Sequence, residues 1–108
     1  MNNVNLIGRL TKNPTSRQTE EGYTICEFTL AVDDAWSKED RADFLQITVT
    51  GQQADVCQKY LHRGFLVGVS GRLHSEVYSD EEGVYPRCYH VTVIADRVQF
   101  CQWPDATA

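Results

Sequence analysis

No stretch of this sequence approaches the roughly 18 consecutive apolar residues that span a bilayer. Its start, Met-Asn-Asn-Val-Asn-Leu-Ile-Gly-Arg, holds no apolar run of signal-peptide length. Neither a membrane span nor an export signal is expected, and the expected compartment is the cytoplasm. Basic charge is also scarce: 10 Lys and Arg stand against 15 Asp and Glu, giving a net charge of -5 and a pI near 5.0. A protein that grips nucleic acid mainly by neutralising phosphates is basic on at least one face. Any polyanion bound here must be held by a local patch or by something other than charge. The four cysteines, at 26, 57, 88 and 101, lack any C-x-x-C spacing, which favours buried, reduced thiols. Zinc held by some of them together with His62, His74 and His90 stays open, since ligands can converge in space, but no metal or cofactor is expected.

Catalytic signatures are missing too. There is no Gly-rich phosphate loop at a strand-to-helix junction, no H-E-x-x-H helix, and no nucleophile elbow with a Ser/His/Asp or Cys/His set. The acids fall at Glu20-Glu21, Glu39-Asp40 and Asp80-Glu81-Glu82, positions that read as solvated turns. An enzyme is not expected. Internal repeats and low-complexity segments are likewise absent, and 108 residues suffice for one modest core.

What the chain does have is alternation. Val4, Leu6, Gly8 and Leu10 alternate with Asn3, Asn5, Ile7 and Arg9, the period of a half-buried strand. Lys12-Asn13-Pro14 ends it, because proline cannot continue a central ladder. After a hairpin-like turn at Glu20-Glu21-Gly22, a second strand puts Cys26, Phe28, Leu30 and Val32 on one face. Residues 34–43 lose all periodicity and read as a loop carrying Trp36. A third strand, Phe44 to Thr50, turns Leu45, Ile47 and Val49 to the core, which leaves Phe44 on the polar side. Ala54, Cys57 and Leu61 then recur at helical spacing, and Gly64, after His62 and Arg63, reads as the helix stop.

A long hairpin follows from Leu66 to Phe100, folded at an acidic turn containing Gly83. Val67, Val69, Leu73 and Val77 are expected on its inner side, and Arg72, His74, Glu76 and Tyr78 on its outer side. Gly68 and Gly71 predict bends. Five strands with one helix between the third and fourth match an all-β, closed Greek-key barrel of the oligonucleotide-binding (OB) type.

On such a barrel the second and third strands and their adjoining loops form the ligand face. Trp36, Phe44 and Tyr78 are aromatics on polar faces, and aromatic side chains stack nucleic-acid bases regardless of sequence and without much positive charge. The pattern leaves packing open beside ligand binding for each, with Trp36 equally suited to plug a barrel end or a subunit contact. Arg9 and Arg72 are either phosphate contacts or solvated surface charges.

Several runs are also familiar. Residues 1–14, Phe-Thr-Leu-Ala-Val at 28–32, Ala-Asp-Phe at 42–44, Tyr-Leu-His-Arg-Gly at 60–64, Val-Gly-Val-Ser-Gly-Arg-Leu at 67–73 and Val-Gln-Phe at 98–100 resemble the bacterial single-stranded DNA-binding protein family, in order and over nearly the whole chain. The resemblance implies an OB-fold domain over residues 1–100 and a short tail over 101–108. It implies a homotetramer that coats single-stranded DNA without sequence preference in replication, recombination and repair. It sets Phe44 and Tyr78 at stacking positions and Trp36 in the loop that supplies a third.

Thr50 stands where the family commonly has another aromatic, and Gln46, Gln52, His74, Glu76 and Val77 stand where basic residues are frequent. Weaker DNA binding with a shallow salt dependence is the expectation. The family's acidic recruiting tail has no counterpart in the last residues, so partners recruited through a tail are not expected. The competing expectation is an oligomerisation or protein-interaction module that keeps the barrel with weakened DNA binding.

Overall fold

The computed structural model describes residues 1–34, 36, 41–78 and 88–102, with the backbone alone at Tyr78, Cys88 and Tyr89. Val4–Leu10 forms β1, Thr15–Gln18 β2, Thr24–Asp33 β3, Ala42–Thr50 β4, Leu66–Tyr78 β5 and Cys88–Phe100 β6, while Gln52–Tyr60 is the helix α1. The sheet runs β1-β5-β6-β4-β3-β2, and β1 also pairs with β3. That extra pairing closes β1, β5, β6, β4 and β3 into a barrel, the OB fold expected from the pattern. The alternating apolar residues point into it: Leu10, Cys26, Phe28, Leu30, Ile47, Val49, Val67, Val69 and Val93 are all buried.

Three expectations need correction. A short strand, β2, stands before the acidic turn and pairs with β3 from Thr15↔Glu27 to Gln18↔Thr24. All four of its residues are exposed, so it carries no hydrophobic alternation that periodicity could detect. The helix ends at Leu61, whose backbone is extended, rather than at Gly64. Leu61 drops into the core at 5% exposure and pulls the chain out of the helix. Gly64 sits in the next turn at φ 87, where its N–H donates to the Leu10 carbonyl at 2.8 Å.

Leu73 and Val77 are the third correction, because they are 48% and 51% exposed rather than inward. β1 accompanies β5 only from Arg9↔Leu66 to Val4↔Gly71, so the barrel wall ends there. Past it β5 has β6 as its partner alone and residues 72–77 are exposed on both faces, while β6 stays tied to β4 at Val93 and Ile94. The Asn2 side chain closes the seam: its amide nitrogen donates to the Leu73 carbonyl, and its oxygen accepts from the Leu73 N–H, both at 2.9 Å.

Curvature comes from two devices. β1 turns from β5 to β3 at Arg9 and Leu10, and at Gly8 a Cβ would run into the Ala31 carbonyl. Between Ser70↔Arg97 and Gly71↔Ala95 the register slips, leaving Asp96 as the extra residue of a bulge. A Cβ on Gly71 would strike the Ile94 carbonyl, whereas one on Gly68 would meet only ordinary contacts. The expected bend therefore belongs to Gly71.

The bulge is clamped from the helix. Gln53 donates its side-chain amide to the Asp96 carbonyl at 2.7 Å and accepts the Val98 N–H at 2.8 Å. Backbone groups displaced from a ladder are costly to leave unpaired. Gln53→Ala is expected to cost about 1–2 kcal/mol, lowering the thermal midpoint by roughly 4–12 °C. An unchanged midpoint in a melting experiment contradicts this role.

Candidate nucleic-acid interface

Cross-strand neighbours in an antiparallel pair share a face, so the ladders define the outside of the barrel. Arg9 of β1 lies opposite Ala31 of β3, and Ala31 lies opposite Phe44 of β4. Further along β3 and β4 come Thr29 with Gln46, Glu27 with Thr48, and Ile25 with Thr50. Thr48 lies beside Ile94 of β6, and Ile94 beside Arg72 of β5. The result is a polar, shallow surface in which Phe44 is the large exposed apolar group of β4, at 68% exposure. Ala31 contributes only a methyl beside it, so one side of the ring has no bulky cross-strand neighbour.

Trp36 stands just beyond the end of the β3–β4 hairpin that carries Phe44. Asp34 donates its N–H to the Arg41 carbonyl at 2.9 Å, closing the base of the loop. The Asp34 carboxylate then accepts the Trp36 N–H at 3.0 Å, a local turn that fixes the tryptophan backbone. Its side chain is 94% exposed. A free indole on an anchored backbone is suited to stacking and poorly suited to plugging a core. Tyr78 pairs with Cys88 at the far end of the described β5–β6 pairing; its side chain lies outside the described residues.

The two predicted cations differ. Arg9 donates from Nη1 to the Gly64 carbonyl at 2.9 Å, which fixes its position but leaves its charge unneutralised. Arg72 is exposed and has no hydrogen bond or ion pair among the described residues. On the same strand His74 stands 3.6 Å from Glu76, so an acid sits in this stretch of the face. Sequence reasoning overlooked Arg17 of β2, which pairs with Glu27 at 3.2 Å. The turn at Glu20-Glu21-Gly22 was the available signal, since a hairpin turn needs a strand on both sides.

The two buried thiols, Cys26 and Cys57, offer no chemistry here, whereas Cys101, expected to be buried, is exposed. Burial, and then the neighbouring Glu27, push the Cys26 thiol up. Burial, and then Cys26, push Cys57 up to about 12. Both stay protonated at neutral pH, and a protonated thiol is neither a nucleophile nor a metal ligand. Among the described residues no group of three or more His, Cys, Asp or Glu is placed to hold a metal ion. No helix among them is long and apolar enough to cross a membrane.

Comparison with known proteins agrees with this geometry. The model of the single-strand binding protein family matches residues 1–101. Single-stranded DNA-binding protein 3 of Clostridium acetobutylicum is 43% identical over 106 residues, covering 95% of this chain and 72% of that protein. Single-stranded DNA-binding protein 1 of the same organism is 42% identical over 106 residues, covering 94% of both. Single-stranded DNA-binding protein 1 of Staphylococcus aureus (strain Mu50) is 42% identical over 105 residues, covering 94% of this chain and 66% of that one. The chain belongs to the single-strand binding protein family.

Proposed function

We propose that this protein binds single-stranded DNA without sequence preference, in support of replication, recombination and repair, by stacking bases on the outer face of β3 and β4. The observation that carries this reading is Phe44, a large apolar ring left uncovered on β4 with only the Ala31 methyl as its cross-strand neighbour. Trp36 supplies a second platform from the loop, and Tyr78 a third from the end of β5. Arg72, without a partner among the described residues, is a cation for phosphate and Arg9 a lesser one. Residues 1–100 act as the one DNA-binding domain. No catalysis and no cofactor enter the mechanism. A cytoplasmic location belongs to the same proposal.

Titration with oligo-dT, followed by tryptophan fluorescence in a Trp103→Phe background, tests it. Quenching that saturates is expected, because a stacked base contacts the Trp36 indole. No quenching and no binding at low salt would favour the interaction-module alternative, to which the acidic balance and Thr50 lend some support.

We also propose a homotetramer. Ile7 is 65% exposed on the outer face of β1, beside a recess of about 590 Å³ that includes Asn5, Gly68, Ser70, Arg97 and Gln99. That face, built from β1, β5 and β6, is separate from Phe44 and leaves the stacking surface open when covered. Light scattering should give four times the 12.3 kDa chain mass, and a monomeric mass contradicts the assembly.

A further inference from the structure

The Arg17–Glu27 pair lies on the proposed DNA face and has no part in the fold's core. Glu27 lies opposite Thr15 on β2 and opposite Thr48 on β4. The row continues through Ile94 to Arg72, so a carboxylate stands in the middle of a row with a guanidinium at its far end. Arg17 lies opposite Ile25, diagonal to Glu27, and its Nε reaches the Glu27 Oε1 at 3.2 Å. Glu27 is four residues along β3 from Ala31, the neighbour of Phe44, which is about 13 Å at strand rise. A strand stacked on Phe44 and led along β3 and β4 reaches this pair.

We infer that Glu27 is a built-in competitor for the DNA backbone: it occupies the Arg17 guanidinium and keeps it from phosphate, which lowers both affinity and salt dependence. The inference rests on the DNA reading and explains, from this chain's own residues, a site poorer in available cations than its count of arginines. Side-chain exposures of 69% for Arg17 and 31% for Glu27 make the pair weak enough to be exchanged and open enough for a phosphate to approach. Glu27 also adds direct repulsion to a phosphate passing Thr48. Arg17 would gain a charge-assisted, two-point contact if released, since a guanidinium fork matches phosphate oxygens.

The test is binding of fluorescein-labelled oligo-dT, read by anisotropy from 50 to 400 mM NaCl. It uses the wild type, Glu27→Gln, Arg17→Ala and the double variant, each checked for an unchanged melting midpoint. Glu27→Gln keeps the shape and removes the charge. It is expected to bind roughly 2- to 5-fold tighter at low salt, with a log–log salt slope steeper by about 0.7, the value for one added phosphate contact on a single strand. Arg17→Ala in that background should abolish the steeper slope, whereas Arg17→Ala alone, which leaves the Glu27 charge uncompensated, should weaken binding slightly without steepening the slope. Unchanged or weaker binding by Glu27→Gln overturns the inference, and so does a steeper slope that survives loss of Arg17. Failure of the wild type to bind at any salt is a separate result, visible before any variant is compared, and overturns the DNA reading and this inference together.

Discussion

Phe44→Ala is expected to weaken oligo-dT binding by roughly 5- to 150-fold, corresponding to about 1–3 kcal/mol for one lost stacking partner. The ring is already 68% exposed in the free protein, so truncating it removes little buried area and leaves stability within about 0.5 kcal/mol of wild type. That separation distinguishes a binding residue from a packing one. A core phenylalanine such as Phe65, fully buried and edge-on to Phe100 at 5.2 Å, would cost about 3–5 kcal/mol on the same change. Parallel melts and titrations check both halves. Unchanged affinity would remove Phe44 from the site, and a large fall in midpoint would reassign it to packing.

Gly8→Ala is expected to be the most damaging small substitution in the barrel wall. The added methyl group runs into the Ala31 carbonyl and crowds the Leu30 side chain at 3.0 Å, at the point where β1 leaves β5 and meets β3. Neither neighbour can swing aside cheaply, because Ala31 is held by Phe44 on its other side in the ladder and Leu30 is fully buried. Overpacking of this kind costs about 3 kcal/mol, lowering the midpoint by roughly 12–20 °C. Gly71→Ala, which strikes the Ile94 carbonyl, should behave alike. A fall of less than about 3 °C for Gly8→Ala would mean that the barrel closes with more slack than the geometry allows.

The barrel was legible wherever burial is one-sided. Cys26, Phe28 and Leu30 on β3 and Leu45, Ile47 and Val49 on β4 alternate because one face meets the core, and the same rule puts Phe44 outside. It fails where that asymmetry ends. Leu73 and Val77 keep the alternation of Val67 and Val69, yet β1 accompanies β5 only as far as Gly71 and β5 beyond it is exposed on both faces. β2 was invisible because Thr-Ser-Arg-Gln buries nothing. The bulge at Asp96 and its Gln53 clamp join residues 43 apart and leave no local pattern. Arg9 was legible as an outward residue, but its bond to Gly64 depends on a turn that only the folded chain forms. Phe44 and Trp36 were picked out by being aromatic in polar surroundings, a local property, whereas the competition between Arg17 and Glu27 depends on pairing between strands.

The central claim is that bases are held chiefly by stacking, with few phosphates neutralised. It is tested most directly by the salt dependence of oligo-dT binding, using a strand of about 8 nucleotides, within the range that one OB fold covers. With Arg72 and Arg9 as the cations proposed for phosphate among the described residues, the slope of log K against log[NaCl] should be near −1.4, two phosphates at about −0.7 each. Affinity should then fall only about 18-fold from 50 to 400 mM NaCl, and Phe44→Ala should lower it roughly 5- to 150-fold at every salt concentration. A slope of about −4 or steeper, with binding indifferent to Phe44→Ala, would contradict the account and show a site that grips the backbone by charge.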